Sequence, residues 1–295
     1  MVSPNASQLS ALSRLFSPGV FREISRSGQS ALFARLFSQT GIVKMGSQTV
    51  ADAFDAAFAI LRREGHRDEY VYRAALTQNI LLGTHSLNSS SMLTEFRTGA
   101  CKADLAILNG TATVYEIKSE RDSLARLENQ ILNYKKVFAK IYVIAGEAHI
   151  NSVLENTPLE VGVMCLNRRS QISKIRESID NSSDVCPVAI FESLRADEAR
   201  SILNDSGITV PDVPNTVLRS VMRESFSQLA PQEAHGAMVK TLKRTRSLAP
   251  LSSFIKRLPM SLRPIALSVQ IHNPDQQQRL LDALRLPIIN AMDWT

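Results

Sequence analysis

Apolar residues recur at helical spacing through the first third of the chain. Leu9, Leu12, Leu15 and Phe16 form one stripe and Leu32, Phe33, Leu36 and Phe37 another, with a break at Pro18-Gly19, so residues 6–38 read as short amphipathic helices. From Ser47, read as an N-cap, Val50, Phe54, Ala57, Phe58 and Leu61 predict a helix that Gly65 stops. A second helix is expected over Asp68–Leu82, ending at Gly83, and Thr84–Ser91 is a polar loop. The period then changes. Met92–Arg97, Lys102–Leu108 and Thr113–Lys118 are short β-like runs separated by turns at Gly99 and Asn109-Gly110, the pattern of an antiparallel meander. Ser119, with Asp122 three residues on, reads as the cap of a helix whose buried stripe is Leu124, Leu127, Ile131 and Phe138. Lys140–Ala145 and Glu160–Leu166 are further strands around a helix near Glu147–Glu155.

Beyond residue 168 helices dominate: Gln171–Asp180, Ser193–Asp205, Asn215–Leu229, Pro231–Thr245 and Asp275–Arg285, with a break at Pro211 and Pro214 and Asn215 as a cap. The order predicts an α/β protein whose αβββαβ core holds a mixed sheet between helices, with helical flanks. Three regions are expected: an N-terminal helical region over 1–64, the α/β core over 65–168, and a helical C-terminal domain over 169–295.

A hydrophobic content of 44% with 21% charged residues is ordinary for a globular chain. Net charge is +6, with a pI near 9.4, which favours a polyanionic partner. Arg14, Arg22, Arg26 and Arg35 face one acid, Glu23, in the first helices. The densest basic run is Lys240, Lys243, Arg244 and Arg246, continued by Lys256, Arg257 and Arg263, and is a candidate nucleic-acid surface. Cys101, Cys165 and Cys186 are odd in number and far apart, which fits free thiols in a reducing cytoplasm and excludes a Cys-x-x-Cys zinc site. The N-terminus has no apolar signal region, and no apolar run reaches the length of a membrane span. The five histidines show no metal spacing, and no phosphate-cradling glycine loop is present.

The stretch Glu95–Tyr134 carries the candidate chemistry. Asp104 precedes an apolar run, and Glu116-Ile117-Lys118 closes the next one. Glu116 and Lys118 share a strand face whatever the register, whereas Asp104 joins them only if paired positions sum to an even number. A three-residue loop such as Leu108-Asn109-Gly110 meets that condition; a two-residue Asn-Gly turn does not. With Gly99-Ala100 as a two-residue loop, Glu95 falls opposite Asp104, and a cation between them would relieve their repulsion. Carboxylates on one face beside a lysine could hold a divalent ion and help a water lose its proton.

Asp104, the Glu116-Ile117-Lys118 triplet, and Gln130 and Tyr134 in the following helix resemble the core of the PD-(D/E)XK nuclease superfamily over roughly residues 66–146. Ala103 stands where that motif has proline. The resemblance implies a restriction-endonuclease-like fold and a Mg²⁺- or Mn²⁺-dependent endonuclease, acting on DNA in preference to RNA. It makes Asp104, Glu116 and the main-chain oxygen of Ile117 metal ligands and Lys118 catalytic, with a further acid supplied by Glu69 or Glu95. A role in bacterial or phage defence, restriction or repair follows only by analogy. Arg126, Gln130 and Tyr134 read as one polar helix stripe, either solvated or touching phosphates and bases. With 28 acids and ten lysines, about one acid-x-Lys triplet arises by chance, so the triplet draws its weight from its surroundings. The alternatives are an RNA-directed nuclease, a non-cleaving nucleic-acid-binding or regulatory protein on the same core, and an interaction module; a homodimer or a regulatory protein partner is compatible with each.

Overall fold

The computed structural model describes residues 4–42, 48–63, 65–120 and 122–294. The chain forms two units. One comprises Met1–Gly83, Arg168–Gln171 and Leu248–Thr295; the other comprises Thr84–Asn167 and Ile172–Ser247. The linear three-region division expected above is replaced by this discontinuous one, because C-terminal helices complete the core of the N-terminal unit.

That unit opens with α1 (Ala6–Leu15), α2 (Pro18–Ser27), α3 (Ala31–Gln39), α4 (Val50–Leu61) and α5 (Glu69–Leu76). Asn5 and Gln8 cap α1 reciprocally, and Thr49 and Asp52 do the same for α4, leaving few orphan backbone donors at either start. The expected cap Ser47 lies outside the described residues. α5 passes into a π-helical turn, Thr77–Leu81, where a continuous α-helix was expected.

The second unit holds β1 (Ser91–Thr98), β2 (Cys101–Leu108), β3 (Ala112–Lys118), α6 (Leu127–Tyr134), β4 (Lys140–Gly146), α7 (Ile150–Glu155), β5 (Gly162–Leu166) and β6 (Ile172–Arg176), then α8 (Pro187–Ser193), α9 (Ala196–Asp205), α10 (Asn215–Ser227) and α11 (Pro231–Thr245). The strands make one mixed sheet in sequence order: β1, β2 and β3 antiparallel, β3, β4 and β5 parallel, and β6 antiparallel on the edge. The α/β architecture with a mixed sheet and a helical C-terminal region is thus as expected. β6 was expected to be helical, and α6 starts at Leu127 rather than beside Ser119. Asp122 does bond the Ser119 amide at 2.8 Å, but its own amide bonds the Ser119 carbonyl and closes a turn instead of opening a helix. One sheet face, carrying Ala106, Val114, Val143 and Val163, packs with Leu127 and Ile131 of α6 and with Phe191, Ile202, Phe226, Met238 and Leu242 of α8–α11.

The first unit is completed by α12 (Ser252–Arg257), α13 (Arg263–Val269), α14 (Pro274–Arg285) and α15 (Ile288–Ala291). Tyr70 donates to the Ser261 carbonyl at 2.5 Å, Ser261 donates to Asp55 at 2.6 Å, and Trp294 packs 5.6 Å from Phe33. No helix among the described residues is long and apolar enough to cross a membrane.

Candidate functional site

The register of β2 on β3 decides whether the central residues meet. Leu105 pairs with Tyr115 and Leu108 with Ala112, across an Asn109-Gly110-Thr111 loop with Gly110 left-handed at φ 91°. Paired positions therefore sum to an even number, although the loop lies one residue later than expected. Glu116 and Lys118 share a face with Val114 and its partner Ala106, and that is the face covered by α6 and α8–α11. The paired ladder ends at Leu105–Tyr115, short of Asp104, and Ala103 lies in the same core as Ala106, so the alternation breaks at Asp104.

Cover changes the chemistry. Glu116 is 1% exposed and Lys118 3%. The Lys118 ammonium donates to Glu116 Oε1 at 2.8 Å and to Gln130 Oε1 at 2.9 Å. Tyr134, wholly buried, donates to Glu116 Oε2 at 2.7 Å, with the Lys102 carbonyl 3.0 Å away. Burial, reinforced by the Glu116 carboxylate, pushes the Tyr134 phenol far above its ordinary range, so it keeps its proton for that bond. Both Glu116 oxygens are thus engaged by donors from its own unit. Burying two opposite charges is tolerable only when pairing and further hydrogen bonds accompany it, and this network supplies both. Asp104 Oδ2 accepts from the Ile117 amide at 2.8 Å, while Ile117 itself lies inside the ladder against Ile144 of β4.

The other expected site residues are placed as follows. Glu95 falls opposite Asp104 in the β1–β2 register, as the Gly99-Ala100 loop requires. Its backbone is left-handed, at φ 52°, and interrupts the ladder between Thr94–Leu105 and Phe96–Ala103. Its carboxylate comes within 4.8 Å of Asp104's and lies 3.8 Å from the Lys102 ammonium. Glu69 opens α5 in the first unit, where it pairs with Arg73 one turn on. Arg126 is exposed at the start of α6. Gln130 and Tyr134 do not form the polar stripe expected with it: Tyr134 lies on the buried face with Leu127 and Ile131, and Gln130 is held by Lys118.

The basic run is divided between the units: Lys240, Lys243, Arg244 and Arg246 belong to the second, Lys256, Arg257 and Arg263 to the first. Lys240 and Arg244 are exposed and Lys243 is half-buried. Arg244 bonds Ser201 at 2.5 Å and holds Asp205 loosely, at 3.9 Å. Arg246 stands apart from them. It makes a two-pronged bond to Glu198, 2.7 Å at each contact, and its guanidinium lies 5.4 Å from the centre of the Phe96 ring. Glu198 is fully buried; burial works to raise its pKa, and the bonds from Arg246 outweigh it, so the carboxyl sits below its ordinary range. Arg246 is therefore committed to the core, a role its place in a basic run conceals, since Glu198 is 48 residues away.

A family model described as bacteriophage P4 protein cII matches residues 62–265, more than half of the chain. Protein cII of Enterobacteria phage P4 is 29% identical over 161 residues, covering 53% of this chain. This chain spans 59% of the length of that curated relative. The SPO1766 protein of unknown function from Silicibacter pomeroyi shares 15% identity over 49% of this chain and 92% of its own, with a TM-score of 0.32, a likeness too loose to carry an argument. The family match overturns the resemblance to PD-(D/E)XK nucleases, and the nuclease, hydrolase and defence assignments go with it. The catalytic and metal-binding roles given to Asp104, Glu116, Ile117, Lys118, Glu69 and Glu95 lose the support of that resemblance.

Proposed function

The chain belongs to the family of bacteriophage P4 protein cII, and on that footing we propose that it is a non-cleaving, nucleic-acid-binding regulatory protein. The observation that carries the reading is the charge of the α10–α11 region. Between Asn215 and Ser247 six cations face two acids, in a chain whose whole net charge is +6. Lys240, Lys243 and Arg244 supply the phosphate contacts, because Arg246 is held in the core and Arg219 and Arg223 both reach Glu192. Phosphate contacts of this kind give affinity without sequence readout. Glu116 and Lys118 act as a structural pair: both carboxylate oxygens are engaged, and burial keeps the pair out of reach of an approaching phosphate.

Anisotropy of a labelled DNA duplex, titrated with the protein across a salt series in Mg²⁺, tests this. Binding weakens linearly in log salt, and replacing Lys240, Lys243 and Arg244 by alanine reduces the slope by about three, roughly one per lost contact. An unchanged slope in the triple variant, or Mg²⁺- or Mn²⁺-dependent strand cleavage by the wild-type protein, overturns the reading. An RNA duplex run in parallel assigns the preferred nucleic acid, expected to be DNA.

A further inference from the structure

The first unit contains a second feature, independent of the sheet. The end of α4, one face of α5, the π turn after it and the segment Arg168–Gln171 enclose a surface pocket of about 260 Å³. Its apolar wall includes Val71, Ala74 and Ala75, and its polar residues include Arg62, Gln78 and Arg169. No aspartate or glutamate is among its described lining residues.

Arg62 is set up for an anion. Its Nε donates to Ser170 Oγ at 3.1 Å, and its guanidinium lies 5.9 Å from the centre of the Phe58 ring, so among the described residues the group is steered by a hydroxyl and an aromatic face and by no carboxylate. A guanidinium keeps several donors in a fixed fork, and one bond to a serine leaves others to give. Two departures from regular backbone meet at this pocket. Ser170 is left-handed at φ 59°, a conformation that a residue with a side chain rarely adopts. Gln78 and Asn79 lie in the π turn, a winding found preferentially at functional positions. Strained backbone, an arginine with no carboxylate partner among the described residues, and amide side chains all line one amphipathic pocket.

We propose that this pocket binds a small organic phosphate of mononucleotide size, with the phosphate on Arg62 and Arg169 and the organic part against Val71, Ala74 and Ala75. The volume lies just under the range for drug-sized ligands and excludes larger ones. The amides of Gln78 and Asn79 hydrogen-bond the heteroatoms of the organic part.

Calorimetric titration of the protein with adenosine monophosphate, inorganic phosphate and adenosine tests this. The monophosphate binds more tightly than either fragment, and Arg62→Gln weakens it by about tenfold or more, the scale of a lost charge-assisted contact. Arg169→Gln weakens it in the same direction. Arg62 is exposed, so its variant should keep the wild-type melting temperature, and that measurement separates lost binding from lost fold. Absence of monophosphate binding, inorganic phosphate binding as tightly as the nucleotide, or undiminished affinity in both variants overturns the proposal.

Discussion

Lys118 and Glu116 show how far two residues depend on their cover. Replacing Lys118 by methionine keeps its bulk but leaves a carboxylate, 1% exposed, with only Tyr134 as donor. The expected loss is about 3–5 kcal/mol, the cost of an unpaired buried charge. Converting Glu116 to glutamine as well removes the charge while keeping an acceptor for Tyr134, so Lys118→Met with Glu116→Gln should recover most of that loss. Urea unfolding of the two single variants and the double measures it; a double variant as unstable as the singles added together would refute the structural role. That these two residues share a face was legible in the sequence, since they stand two apart on one strand. Their burial was not. It depends on α8–α11, which follow in sequence after residue 186, and on a phenol in α6 that the helical pattern placed on the wrong side.

Among elements, the longer helices were legible and the edge strand was not. Pro231–Thr245 was read at its observed bounds because its apolar positions recur at helical spacing over many turns and proline opens it. In Gln171–Asp180 the isoleucines at 172, 175 and 179 also fall at helical spacing, yet Ile175 and Ile179 are exposed. They line no core, and the segment is ordered instead by its backbone bonds to β5. α11 also sets how the fold responds to acid. His235, on its buried side, has its pKa lowered by burial, with Asp180 opposing, and its Nε2 has no hydrogen-bond partner among the described residues. The unfolded chain therefore takes up a proton below the ordinary value of 6.5 before the folded chain does, and stability falls as pH falls through that window. Glu198, lowered from its ordinary 4.5, gives a second loss at more acidic pH, as its carboxylate is protonated and its bonds to Arg246 weaken. Melting temperature followed from pH 8 to pH 3 should thus fall in two stages. His235→Gln, which cannot charge, should flatten the first and leave the second. A variant whose profile overlays the wild type from pH 7 to pH 5 would exclude His235 as the source.

At the scale of the whole molecule, the division into units is what the sequence conceals most completely. Contacts that close the first unit join residues far apart: the Val50 amide bonds the Leu286 carbonyl at 2.9 Å, the Ile288 amide bonds that of Gln48 at 2.8 Å, and Tyr70 reaches Ser261. No local period or composition shift announces such closure, so a linear reading assigns the last helices to a domain of their own. The chain passes between the units at 83/84, 167/168, 171/172 and 247/248, yet each unit has its own buried apolar residues. Separate cores permit separate melting, and the protein carries a reporter for one of them. Its single tryptophan, Trp294, is buried in the first unit against Phe33, whereas all six strands of the sheet lie in the second. In a denaturant titration, Trp294 emission follows the first unit alone, and the sheet component of the circular dichroism follows the second. The two curves should have different midpoints, a departure from two-state behaviour. Arg246→Met, which strips Glu198 of its partner inside the second unit, should lower the midpoint of the sheet signal by an amount equivalent to about 3 kcal/mol and leave the tryptophan curve in place. Coincident curves that move together in that variant would mean that the crossings couple the two cores into one cooperative fold.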